Sequence, residues 1–78
     1  MKQNLEEKLR STETSSKLFD MLKNFFPRQE SIENILVILD NDENKQKMIE
    51  FLESGETKRE RILLRAAELN RGINYLLN

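Results

Sequence analysis

The chain has 78 residues, a formal net charge of −1, 35% charged and 37% hydrophobic residues, and neither cysteine nor histidine. This length accommodates one domain, close to the lower limit for a core that is stable without help. The missing residue types exclude disulfides, cysteine-based structural zinc sites, and histidine as a general base or metal ligand.

Balanced charge argues against a dedicated DNA-binding domain, which is usually basic. Leu, Ile and Phe are frequent enough to build a core, which argues against global disorder.

Residues 1–16 read as a flexible or partly helical N-terminal segment. The stretch from Met1 to Glu7 lacks the apolar centre of a signal peptide, which makes the cytoplasm the expected location. Leu5 and Leu9 mark a short helical turn, and residues 10–16 (Arg-Ser-Thr-Glu-Thr-Ser-Ser) read as a link.

The first main helix follows the Thr14-Ser15-Ser16 cluster and carries Leu18, Met21, Leu22 and Phe25 on one side, leaving Phe19 and Phe26 off that stripe. Pro27 disfavours helical geometry at Phe26, so the helix is expected to stop near there.

Pro27 and Ser31 precede a second helix with the stripe Ile32, Ile35, Leu36 and Leu39. The run Ile35–Leu39 also resembles a buried strand, but a lone strand has no partner and the spacing selects a helix. It is also far too short to span a bilayer. Val37 and Ile38 add apolar surface outside the stripe, so this helix is expected to be central and buried all round.

Asp40 and Glu43 have capping-box spacing ahead of a third helix, whose inner residues are Met48, Ile49 and Leu52. Asp40-Asn41-Asp42-Glu43-Asn44 opens like a calcium loop, but the pattern then fails. Lys45 stands where the turn glycine belongs, Lys47 at the apolar position, and Phe51 where a bidentate carboxylate is required. The segment therefore reads as an acidic turn at the positive end of a helix, and no metal is expected. Gly55 sits where a left-handed C-terminal cap is commonest.

Thr57 and Glu60 form a second capping box, opening a helix on which Ile62, Ala66, Leu69, Ile73 and Leu76 share one stripe. Leu63 and Leu77 broaden that stripe. Leu64, Arg71 and Tyr75 lie on the opposite side, and they are the candidate partner-binding residues. A bundle helix normally solvates this side, and Tyr and Arg are favoured at interface centres.

Lys58, Arg61 and Arg65 share another side and offer an alternative nucleic-acid surface after a Gly55 turn. In that helix-turn-helix register, Glu50, Ser54 and Glu56 occupy positions that should be apolar, and Glu60 and Glu68 dilute the basic strip.

No catalytic constellation emerges. Ser11, Ser15, Ser16, Ser31 and Ser54 are each better explained by caps or turns, and the two glycines, Gly55 and Gly72, form no phosphate-binding loop.

The expected fold is a single all-α domain over residues 1–78, a compact bundle of about four helices with a short extra N-terminal helical turn. The expected function is that of a non-catalytic, cofactor-free interaction or regulatory protein, self-associating or binding a protein through its C-terminal helix. In so short a chain, burial against a second molecule adds apolar stabilisation without adding length.

Overall fold

A computed structural model describes residues 5–56 and 58–77, with side chains over 7–56 and 58–71. The described residues form five helices and no strand: α1 (Leu5–Leu9), α2 (Glu13–Leu22), α3 (Gln29–Leu39), α4 (Asp42–Glu53) and α5 (Arg59–Leu77). The all-α bundle is as expected, and the extra N-terminal turn is a short helix of its own.

That first helix packs against α3 and adds Leu9 to the edge of the core. Arg10 fastens the exit from α1 onto α2. Its guanidinium lies 4.2 Å from the Phe19 ring centroid and donates to Ser16 Oγ at 3.0 Å and Asp20 Oδ1 at 2.8 Å.

The link expected over 10–16 is shorter, because Thr12 caps α2: its hydroxyl accepts from the Ser15 N–H at 3.0 Å. Ser15 and Ser16 are therefore helical. At its other end α2 stops at Leu22, well before Pro27. The Leu22 carbonyl accepts from both the Phe25 and the Phe26 N–H at 3.0 Å, and this tight turn delivers Phe26 into the interior. Phe19 is fully buried as well, so both off-stripe phenylalanines belong to the core.

Helix α3 is central, packing against each of the other four helices. Its N-cap is Arg28, without a side-chain hydrogen bond, and Ser31 lies inside the helix instead of preceding it. Ile32, Ile35, Leu36 and Leu39 are buried, but Val37 is 59% and Ile38 39% exposed. The expectation of burial all round is thus corrected, because the neighbours enclose the Ile32–Leu39 stripe and leave the far side open.

The α3–α4 junction also differs by one residue from the expected capping box. Asp40 has φ 74° and ψ −64°, and the Asn41 N–H reaches back to the Leu39 carbonyl at 2.9 Å, which makes a γ-turn. With Asp40 used in the turn, Asn41 becomes the N-cap and accepts from the Asn44 N–H at 2.8 Å. Asn44 turns inward, and its amide donates to the Leu39 carbonyl at 2.9 Å.

Helix α4 ends as expected at Gly55, whose φ is 107° and whose N–H donates to the Leu52 carbonyl at 3.1 Å. On α5, Ile62, Ala66 and Leu69 are buried. Thr57, the first half of the expected capping box, and the side chains of Ile73, Tyr75, Leu76 and Leu77 lie outside the described residues.

The apolar interior is continuous, running from Leu18, Phe19, Leu22 and Phe26 through the α3 stripe to Met48, Ile49, Leu52, Ile62, Ala66 and Leu69. At ~1.5–3 kcal/mol for each large side chain fully buried, this is the main force holding the helices together.

Candidate interaction surface

The outer side of α5 carries Glu60, Leu64, Ala67 and Arg71, all exposed, at spacings of four, three and four. This spacing keeps them in one row. Leu64 is 56% exposed and its neighbour Leu63 48%, although Leu63 was expected to extend the core stripe. Leu63 is left outside the core, which on α5 takes in Ile62, Ala66 and Leu69 among the described residues. Arg71 stands at the end of the row, and the Tyr75 side chain lies outside the described residues.

A hydrogen bond places α3 beside this surface. Asn70 Nδ2 donates to the Ile38 carbonyl at 3.0 Å, satisfying one of the carbonyls that a helix C-terminus leaves without an intrahelical partner. Asn70 shares its side of α5 with Leu63 and Ala67, so the exposed Ile38 stands at the shoulder of the α5 row. Val37, Ile38, Leu63 and Leu64 are the large hydrophobic residues left exposed among the described residues.

The alternative strip has a different character. Arg61 is hydrogen-bonded and ion-paired to Glu56, whose other carboxylate oxygen accepts from the Lys58 N–H at 3.2 Å. Arg65 Nη1 is 3.6 Å from Glu68 Oε1, and its guanidinium carbon is 6.0 Å from the Phe51 ring centroid. The Arg65 Nε is buried and meets no acceptor among the described residues. An open groove of about 330 Å³ runs here, lined by Lys47, Glu50, Phe51, Ser54, Arg65 and Glu68. Lys58, Arg61 and Arg65 are therefore interleaved with carboxylates from the loop and from both helices.

A third cluster was invisible to local spacing. Lys45 Nζ donates to Ser15 Oγ at 2.9 Å, and both residues are buried. Asp42 Oδ1 accepts from Thr12 Oγ1 at 3.1 Å and from Ser15 Oγ at 3.5 Å, and it lies 4.0 Å from Lys45 Nζ. A serine beside a lysine is the pairing used by some hydrolases, but here Ser15 is only 1% exposed. Its bonds tie the N-terminus of α2 to that of α4, and the Asp42 carboxylate sits favourably near both positive helix ends.

Among the described residues, no three His, Cys, Asp or Glu side chains are grouped as metal ligands, and no helix is long and apolar enough to cross a membrane. The calcium-like segment is committed to turn and cap geometry. The fold defines a small all-α helical bundle whose last helix exposes Leu64 and Ala67 between two charged residues. No protein-family model, curated protein or solved structure matches the chain.

Proposed function

We propose that the chain is a non-catalytic cytoplasmic interaction or regulatory protein that self-associates through the outer side of α5. The observation that carries this reading is the exposure of Leu64, at 56%, on the side of α5 opposite the buried Ile62, Ala66 and Leu69. A side chain of that size, exposed on the side of the helix away from the buried Ile62, Ala66 and Leu69, adds nothing to the monomer's core, whereas an apposed surface would remove it from water. Arg71, also exposed, offers hydrogen-bonding capacity at the same surface.

Sedimentation or light scattering across a wide concentration range tests the proposal. The wild-type chain should show a mass that rises with concentration, and Leu64→Glu should hold it at the monomer mass. A strictly monomeric wild-type chain at high concentration would refute self-association.

The alternative, a nucleic-acid-associated regulator using Lys58, Arg61 and Arg65, draws support from the exposure of Lys58, just before α5, and of Arg61 in its first turn. It is the weaker reading, since Glu56 and Glu68 already engage the two arginines. Salt-sensitive binding to duplex or single strands, lost on reversing all three charges, would favour it over the proposal.

A further inference from the structure

The row on α5 has an internal symmetry that self-association alone does not require. It reads Glu60, Leu64, Ala67, Arg71: an acid at one end, a base at the other, and two apolar residues between them. Reversing its direction exchanges Glu60 with Arg71 and Leu64 with Ala67. The row is therefore complementary to its own reverse, the property that a two-fold interface demands of a single surface.

Resting on the self-association proposed above, the geometry points to a second copy of this chain as the occupant, docked with its α5 antiparallel to the first. Glu60 of each copy then pairs with Arg71 of the other, and Leu64 of each lies over Ala67 of the other. The two ion pairs sit at either end of the seam, about 16 Å apart for eleven residues of helix. Glu60 and Arg71 make no ion pair with any other described residue, so both charges are available. Ala67 is small enough for the two helices to approach closely at the centre, where Leu64 supplies the bulk.

The exposed residues beside the row fit the same arrangement. A two-fold axis perpendicular to the plane of two antiparallel helices keeps corresponding shoulders on the same side of that plane. Ile38, held next to Asn70 by the 3.0 Å hydrogen bond, is then carried towards Leu63 of the second copy. Ile38 and Leu63, 39% and 48% exposed in the single chain, cover one another across the interface. A parallel pairing would instead set Glu60 against Glu60 and Arg71 against Arg71, placing like charges together at both ends.

Charge exchange and cross-linking test this geometry, with circular dichroism confirming that each variant is folded. Glu60→Arg and Arg71→Glu should each raise the dimer dissociation constant at least tenfold, and the double exchange should return it to within a few-fold of wild type. The chain has no cysteine, so single cysteines can be introduced without background. An oxidised mixture of Glu60→Cys and Arg71→Cys chains should form the mixed disulfide, with one Glu60–Arg71 pair still intact, while neither variant alone cross-links efficiently. A dimer that shows no rescue in the double exchange, or that cross-links 60 to 60, would overturn the antiparallel assignment and leave self-association standing. A wild-type chain that stays monomeric would overturn both.

Discussion

Lys45 Nζ stands 2.9 Å from Ser15 Oγ, joining α4 to α2 across a sequence separation of 30 residues. Lys45 is only 8% exposed, so its ammonium relies on this hydroxyl and on Asp42, 4.0 Å away. Ser15→Ala removes the nearer acceptor and should cost roughly 1–3 kcal/mol. Lys45→Met retains most of the packed volume while removing the charge, and in that background Ser15→Ala should cost clearly less. Urea denaturation of the wild type, the two single variants and the double variant gives the coupling energy, expected to be about 1 kcal/mol or more. Simple additivity of the two losses would show that the residues do not act as a unit.

Asp40 holds a backbone conformation that side chains with a Cβ rarely adopt, at φ 74°. Asp40→Gly should therefore be neutral to about 1 kcal/mol stabilising, the relief of strain being partly offset by the extra freedom glycine gives the unfolded chain. Asp40→Val should destabilise, since β-branching tolerates this region least. Gly55→Ala offers a comparison: nothing lies within 4 Å of the added Cβ, but φ is 107°, so the expected loss of about 1 kcal/mol is purely conformational. Thermal unfolding resolves these differences, because 1 kcal/mol shifts Tm by roughly 4–8 °C in a domain of this size. A large loss on Asp40→Gly would instead assign a stabilising role to the carboxylate.

The parts of the fold that follow from helical period were legible in the sequence. Ile32, Ile35, Leu36 and Leu39, like Ile62, Ala66 and Leu69, are buried because a local repeat alone determines which side of a helix is apolar. Helix boundaries were less legible. Thr12 and Asn41 each compete with neighbouring residues able to cap, and the γ-turn at Asp40 has no distinctive local pattern. The Ser15–Lys45 pair was not legible at all, because only tertiary packing unites residues so far apart in sequence. The same holds for Ile38, whose apolar side chain suggested burial, while its place beside Asn70 at the open edge of α3 leaves it exposed. On α5, Leu64 and Arg71 were identifiable from the sequence as lying on the outer side. Glu60, which the proposed pairing sets against Arg71, carries no local signal beyond its place four residues before Leu64.

Asp20 accepts from Arg10 at 2.8 Å, and this hydrogen bond, together with the arginine's charge, holds its carboxyl below the usual carboxylate range. A lowered folded-state pKa stabilises the fold above the unfolded-state value, and that contribution disappears as pH falls through the folded-state value. The Arg10–Asp20 contribution should therefore be complete at neutral pH, persist down to about pH 4, and fade below it. With the Asp20 side chain 64% exposed, solvent screening keeps the effect small. Stability curves of the wild type and Asp20→Asn should accordingly be slightly separated at neutral pH and converge in acid. A gap that widened as pH fell would contradict the assignment.

Leu69 and Leu64 lie on opposite sides of α5 and should separate folding from docking. Leu69 is 8% exposed within the core, and Leu69→Ala should cost about 2–4 kcal/mol at every protein concentration, through lost burial and the cavity left behind. Leu64 is 56% exposed, and in dilute solution Leu64→Ala should change stability by less than about 0.5 kcal/mol. The two variants should diverge in another respect as concentration rises. Association stabilises the folded state by mass action, so the wild-type Tm and that of Leu69→Ala should increase with protein concentration while that of Leu64→Ala increases much less. Thermal scans of all three chains over a hundredfold concentration range measure both effects together. If Leu64→Ala lowered stability as much as Leu69→Ala in dilute solution, Leu64 would belong to the fold and the docking role of the outer row would be lost.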